Sequence, residues 1–350
     1  MKSTKTSLPV FAASVAALLV GASAFASEGL RIRYPISGAG GGELIAPGVR
    51  HGWVGSVSAT HSTFGRVTDN NGNDVVQTIP VVVGAFSTTT PGVVQFDQTQ
   101  DTLNCVLGYL SENEYAGGRL TFGLNLPMHR IRRTVKISAV TPTLPPALQS
   151  RAAQVNAALQ AQLATQGATL SGEVSGFGDA EVSAGWGYRQ DRMRILAGAT
   201  LVMPTGSYDS GRSVNPGLGD YYTLRPSAAM LYQVMPGTTL TGRATLGLNG
   251  SNSATKYRSG NFAAVESSAI QRFSSFALGL NAFTIRQYQD DTGPGVPASG
   301  LRLKTSGAGT FITTYLQQYK AAVTLAYSQN FNTSNGTPGK YFRARASIDF

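Results

Sequence analysis

The sequence is poor in the residues that most often carry chemistry. Its 350 residues include one cysteine and three histidines. The single cysteine, Cys105, excludes an intramolecular disulfide and a cysteine metal cluster, and we interpret it as a small strand residue. The histidines are isolated from one another and have no metal-ligand spacing. We therefore expect neither a metal ion nor another cofactor.

Charged residues and long apolar runs are also scarce. Charged residues make up 13% of the chain, about half the usual share of a soluble domain. After the N-terminal region, the most apolar run, 79–86, is far shorter than the ~20 residues that a spanning helix needs. Instead the chain has 41 glycines and 9% aromatic residues. This composition suits strands that face lipid on one side and water on the other.

The first residues have the organisation of a secretory signal peptide. Lys2 and Lys5 precede an apolar run at 10–20, and Ala24-Phe25-Ala26 is a small-residue cleavage site. We expect cleavage after Ala26 and export from the cytoplasm. A membrane anchor is the alternative interpretation, but the apolar run is too short to span a bilayer.

Strict alternation of apolar with polar or small residues recurs along the chain. It is clearest in 119–126, 179–189 and 239–249, where, for example, Leu240 and Leu246 oppose Arg243. Alternation places successive side chains on opposite faces of a sheet. A soluble β-sandwich alternates too, so the pattern alone does not establish a membrane protein.

The lengths of the connections separate these alternatives. We predict strands near 49–63, 101–112, 117–127, 178–189, 192–203, 219–234, 238–250, 262–272, 275–288, 301–315, 320–331 and 340–350. Short turns between them alternate with long loops at 64–100, 128–177, 204–218, 251–261, 289–300 and 332–339. This layout is that of an outer-membrane β-barrel. We predict one all-β, antiparallel transmembrane barrel over 49–350, with about 12 strands and a range of 10 to 14. Residues 81–83 could add a strand to the first loop.

Two segments outside the strands have their own interpretations. Residues 27–48 are expected to form a periplasmic N-terminal segment or a small hatch. The stretch 145–167 is rich in Ala, Gln and Leu, and places Leu148, Ala152, Val155, Leu159 and Leu163 on one helical face. This helix would either decorate an outer loop or act as a lid or plug in the barrel mouth.

The last predicted strand ends in an aromatic residue. Phe342, Ile348 and Phe350 lie on one face of 341–350, opposite Arg343 and Arg345. A final strand of this kind resembles the signal that the barrel-assembly machinery reads, and Phe350 is the expected signal residue. The expected location is therefore the bacterial outer membrane, in contact with its lipid and lipopolysaccharide.

An enzymatic function is an alternative interpretation of the same sequence. Some twelve-stranded outer-membrane barrels are phospholipases, which need a serine and a histidine on the same face of a strand. Here His61 and Ser62 are adjacent and point in opposite directions, and the G-x-S-x-G motif is absent. A hydrolase remains the third alternative. Nucleic acid is not an expected partner, because the basic residues are scattered.

Charged residues on the polar strand faces are the candidates for a solute path. They are Arg119, Glu181, Arg189, Arg243, Arg343 and Arg345. Two interpretations are open: the charges form ion pairs between strands that stabilise the barrel, or they recognise a substrate. The excess of arginine would favour anionic cargo such as aromatic carboxylates.

Short motifs in a fixed order resemble a known family. The positions that carry the resemblance are Gly178, Asp179, Pro204, Gly206, Arg225, Pro226, Tyr257, Ser259, Gly260, Asp291 and Gly293. The chain resembles the outer-membrane barrels described as "putative MetA-pathway of phenol degradation". The resemblance implies a passive channel or transporter for small hydrophobic or aromatic solutes. The alternative function is that of a structural or surface-interaction barrel without transport. The insertion at 142–170 departs from the family pattern. The sequence does not determine the oligomeric state.

Overall fold

A computed structural model describes residues 32–34 and 51–350. The expected cleavage site after Ala26 lies outside the described residues, as do both boundaries of the expected segment 27–48. Within the described residues, no helix is long and apolar enough to cross a membrane.

Strands dominate the described part of the chain. They are β1 (Gly52–Phe64), β2 (Val76–Val83), β3 (Phe86–Tyr115), β4 (Gly118–Ala139), β5 (Gly172–Phe177), β6 (Glu181–Gln190), β7 (Met193–Val202), β8 (Thr223–Met235), β9 (Thr238–Asn249), β10 (Phe262–Arg272), β11 (Phe276–Gln287), β12 (Lys304–Leu316), β13 (Ala321–Ser334) and β14 (Gly339–Asp349). A 3₁₀ helix, Pro146–Arg151, leads into the helix α1, Ala152–Leu170. A second 3₁₀ helix, Gln317–Tyr319, forms a turn.

Twelve of these strands close into an antiparallel barrel. Each pairs with its neighbours in chain order, and β14 returns to β1 from Val54↔Asp349 to Phe64↔Gly339. The strands β2 and β5 are outside this ring and pair with the outer parts of β3 and β4. The predicted fold class and strand number are therefore confirmed, and all twelve predicted strand positions match a strand of the ring.

The two faces of the wall differ in polarity. On β9, Leu240 and Leu246 are exposed on the outer surface, whereas Thr241 and Thr245 are buried on the inner side. A closed sheet with an apolar exterior and a polar interior is the arrangement expected in a bilayer. The tight turns, including the one at Gly237 with φ +82°, all lie at one end of the barrel. We take that end as periplasmic.

The predicted loops 64–100 and 128–177 are in part regular sheet, which corrects the sequence analysis. There β3 and β4 continue beyond the barrel, flanked by β2 and β5. The polarity of the faces inverts in this extension: on β4, outward Met128 is followed by outward Arg130 and Arg132, and the inward side becomes apolar at Ile131. Because water now surrounds the outer face, the apolar residues turn inward and build a core of their own.

Helix α1 packs on the inward face of this extension. Its buried residues Val155, Leu159 and Leu163 lie in one hydrophobic cluster with residues that include Val81 and Val135. The predicted helix and its apolar face are confirmed. Because the same face of β4 lines the lumen lower down, the helix lies on the side of the sheet that continues the lumen wall. Below, this unit of β2, β5, α1 and the outer parts of β3 and β4 is called the extracellular subdomain.

Candidate functional site: the barrel lumen

A short N-terminal segment occupies the outer part of the lumen. The Arg33 guanidinium lies 2.9 Å from the Asp179 carboxylate, and both side chains are at most 5% exposed. Arg33 also donates to the carbonyl oxygen of Gly219 at 2.6 Å and stacks 3.7 Å above the centre of the Tyr221 ring. The chain before the first strand is thus held against the loops that precede β6 and β8.

The next residue contacts the barrel wall further down. The Tyr34 hydroxyl donates to the Glu266 carboxylate at 2.6 Å, and its ring meets Phe262 edge-on at 5.9 Å between centroids. The guanidinium of Arg225 donates to the carbonyl oxygen of Arg33 at 3.0 Å. Residues 32–34 therefore contact β8 and β10 on the inner side of the wall.

Asp179 organises the loops around this segment. Besides Arg33, its carboxylate accepts hydrogen bonds from the backbone N–H groups of Gly206 at 3.1 Å and Leu218 at 3.0 Å. A Cβ at Gly206 would come within 2.7 Å of the backbone carbon of Gly178, so the close approach of the two loops requires glycine there. These motif positions thus build the outer mouth of the lumen.

A second group of motif positions forms a separate network in the outer loops. The buried Asp291 carboxylate accepts from the Tyr257 hydroxyl at 2.5 Å, the Gly260 N–H at 2.7 Å and the Gln287 amide at 2.6 Å. Burial raises the pKa of Asp291, and these hydrogen bonds oppose the rise. This network joins the loop before β10 to the loop after β11, and its role is structural.

Two of the predicted lumen residues lie near the segment. Glu181 forms an ion pair with Arg225 at 2.7 Å, and the Arg225 side chain is only 5% exposed. Arg243 lies with its guanidinium 6.0 Å from the centre of the Tyr34 ring. Glu181 and Arg225 thus act as a wall-stabilising ion pair, whereas Arg243 faces the interior beneath the segment.

Two cavities lie in the lumen on the periplasmic side of residues 32–34. The first, of about 340 Å³, is lined among others by Ser183, Leu196, Thr200, Ser227 and Arg243. This volume is within the range of small-molecule sites. Its wall combines aliphatic and hydroxyl-bearing side chains with the guanidinium groups of Arg194 and Arg243.

The second cavity, of about 330 Å³, is more basic. Arg119, Arg189 and Arg194 line it, and Glu114 contributes a carboxylate. Glu114 and Arg119 form an ion pair at 3.3 Å, and their charges offset each other. The net positive charge of the cavity therefore comes from Arg189 and Arg194. Both cavities share Arg194 and Leu196, so they form one basic compartment that leads to the periplasmic end.

The remaining predicted lumen residues lie elsewhere. Arg343 and Arg345 are on β14, opposite Thr60 and Ser58 of β1, on the wall that faces β8 and β9 across the twelve-stranded ring. Neither lines the two cavities. Arg194 and Arg33 were not among the predicted residues. The alternation of 192–203 could have identified Arg194, but no local pattern links Arg33 to Asp179.

Solved structures of other proteins share the barrel fold of this chain. A solved structure described as the COG4313 outer membrane channel from Pseudomonas putida F1 aligns with a TM-score of 0.63 at 15% identity, covering 87% of this chain and 99% of that one. The β-domain of the Bordetella autotransporter BrkA aligns with a TM-score of 0.46 at 13% identity, over 85% and 99% of the two chains. The alignment with the COG4313 channel supports the barrel fold. The alignment with BrkA is too weak to support a structural conclusion. A search of curated protein sequences returned no match.

The sequence itself matches a family model. The match covers residues 64–346 and so most of the barrel, including every motif position named above. The family is described as "Putative MetA-pathway of phenol degradation". This chain belongs to that family.

Proposed function

We propose that this protein is a passive outer-membrane channel that takes up small hydrophobic or aromatic compounds, with aromatic carboxylates as the best-fitting cargo. The observation that carries the proposal is the basic compartment beneath residues 32–34. It offers Leu196 as an apolar contact and Arg189, Arg194 and Arg243 for an anionic group. Guanidinium groups bind carboxylates in a planar, two-point geometry.

The size of the barrel supports a narrow solute range. Eight-stranded barrels are filled by side chains or hold one small ligand, whereas 16 to 18 strands leave an open aqueous channel. Twelve strands lie between these limits. A single-ring molecule fits a compartment of this volume. We expect residues 32–34, which lie in the outer part of the lumen, to control entry to it.

Uptake in cells tests the proposal. Cells that lack the gene are complemented with the native protein, with Arg243→Ala or with Arg192→Ala, and labelled benzoate, phenol and glucose are supplied at low concentration. Arg192 is the matched control, because it is an exposed arginine in the turn after β6. We expect Arg243→Ala to slow benzoate more than phenol and Arg192→Ala to change neither. Equal benzoate uptake in cells with and without the gene would contradict the proposal.

A structural or surface-interaction barrel is the second candidate. The extracellular subdomain favours it, since its hydrophobic core is independent of the lumen. In that case removal of the subdomain would abolish contacts at the cell surface and leave solute uptake unchanged.

A further inference from the structure

Two cations lie side by side on the outer surface of the barrel. Arg286 of β11 and Lys304 of β12 are register partners in an antiparallel pair. Arg286 is exposed and Lys304 is partly exposed. Two register positions further toward the membrane centre, on the same face, the hydroxyl groups of Thr284 and Ser306 are hydrogen-bonded at 3.0 Å.

No carboxylate of the described residues neutralises this pair. Neither cation has an acidic partner within 4.0 Å among residues 32–34 and 51–350. The nearby Asp290 is paired with Arg302 at 2.8 Å. Like charges directly opposite each other on neighbouring strands destabilise a sheet. An anion that bridges the two side chains would remove this repulsion.

The depth of the pair in the membrane follows from the strand geometry. Ten residues separate Phe276 from Arg286, which is ~33 Å along a strand and about 25 Å along the axis of a barrel whose strands tilt by ~40°. Phe276 stacks on Phe273 at the periplasmic end, with 4.7 Å between the ring centroids. Because the apolar band of such barrels is about 25 Å tall, Arg286 lies at its outer boundary.

The opposite side of the barrel gives the same boundary independently. On β4 the outward residues change from Met128, ten residues after Gly118 at the periplasmic turn, to Arg130, twelve residues after it. At that level the outer leaflet of an outer membrane presents the phosphate groups of lipid A. A guanidinium and an ammonium group on the outer surface are the donors that bind phosphate.

We propose that Arg286 and Lys304, with the hydroxyl groups of Thr284 and Ser306, form a binding site for a phosphate group of lipid A in the outer leaflet. The site lies on the lipid-facing surface and is independent of solute transport. At a similar height on the opposite side of the barrel, Arg130 and Arg132 share the Glu173 carboxylate, at 2.7 and 3.0 Å. They are therefore partly neutralised and are a weaker site for the same group.

Lipid binding to the purified full-length barrel tests the site. Native mass spectrometry counts the lipid A molecules retained by the native protein, by Arg286→Gln/Lys304→Gln and by Arg192→Gln/Lys320→Gln. The last variant removes equal charge from exposed periplasmic turns. We expect at least a fivefold weaker affinity for lipid A in the first variant, no change in the control, and recovery of most binding in Arg286→Lys.

Two further lipids test whether the site recognises the phosphate groups of lipid A. Lipid A without phosphate groups should bind the native protein and the Arg286→Gln/Lys304→Gln variant equally. Phosphatidylglycerol should show no such difference between the two proteins. If lipid A binds the variant as tightly as the native protein, or phosphatidylglycerol loses affinity to the same extent, the assignment to lipid A is overturned. Heat-modifiable gel mobility checks that each variant is folded. If Arg286→Gln/Lys304→Gln does not fold, the single variant Lys304→Gln replaces it.

Discussion

Arg33 and Asp179, 146 positions apart in the sequence, form an ion pair of 2.9 Å inside the outer mouth of the barrel. The pair fastens the chain before β1 to the loop before β6. Since the carboxylate also accepts hydrogen bonds from the N–H groups of Gly206 and Leu218, one residue holds both the loops at the mouth of the lumen and the N-terminal segment that lies there.

Removal of the Asp179 charge should loosen the segment. Gly206 and Leu218 donate to different oxygens of the Asp179 carboxylate, so the single amide oxygen of Asp179→Asn can accept only one of these hydrogen bonds. Arg33 also loses its charged, buried partner. Breaking a buried ion pair by removing one charge typically costs about 3–5 kcal/mol. We expect larger and more frequent openings in planar bilayers, whereas Glu173→Gln, which removes an exposed carboxylate, should behave like the native channel. Unchanged conductance in Asp179→Asn would show that residues 32–34 do not control the path.

The extracellular subdomain should be separable from the barrel. Leu159 is fully buried in its core, and truncation of a buried leucine costs about 2–5 kcal/mol. We expect Leu159→Ala to increase amide hydrogen exchange in β2 and in the outer part of β4, with no change in β10–β12. Ala157→Gly, on the exposed helix face, is the control for helix propensity alone. Loss of protection throughout the barrel would contradict this separation.

Trimming the helix tests its relation to transport. Replacement of 145–170 by a short Gly/Ser linker should leave heat-modifiable mobility intact, because β3 and β4 keep their barrel partners. Since α1 lies on the face that continues the lumen wall, uptake of aromatic solutes should change. A barrel that no longer assembles would show that the helix is needed for folding.

The ionisation of Glu173 reports the integrity of the subdomain edge. Hydrogen bonds from Arg130 and Arg132 lower the pKa of this carboxyl group below its ordinary value. A lowered pKa in the folded state means that the contact stabilises above the ordinary pKa and is lost as the pH falls through the folded one. We expect the ¹³C carboxyl shift of Glu173 to titrate below the ordinary pKa of a glutamate side chain, and at a higher pH in Arg132→Gln. Titration at the ordinary value in the native protein would show that the ion pairs do not form.

The orientation of the barrel is tested by labelling in whole cells. In a Cys105→Ser background, Ser210→Cys lies in the outer loop before β8 and Pro236→Cys in the turn between β8 and β9. Both positions are exposed. A membrane-impermeant maleimide should label residue 210 and not residue 236, and labelling of residue 236 alone would invert the topology.

Much of the fold was predictable because one physical constraint repeats along the chain. A wall with lipid on one side and a polar lumen on the other requires apolar and polar residues to alternate along each strand. This alternation predicted the position of every strand of the ring. The outer parts of β3 and β4 were taken as loops because their alternation reverses where the environment changes from lipid to water. The candidate site was harder to predict. Arg243 followed from its strand face, but the Arg33–Asp179 contact depends on tertiary structure alone.

Flux through the purified protein tests the central claim most directly. The native channel and Arg243→Ala are reconstituted in liposomes, and the influx of labelled benzoate, phenol and glucose is followed against protein-free liposomes. We predict benzoate influx through the native channel well above the protein-free rate, a clear reduction in Arg243→Ala with a smaller effect on phenol, and glucose at the background rate. Benzoate influx that is no faster with the protein than without it would contradict the account.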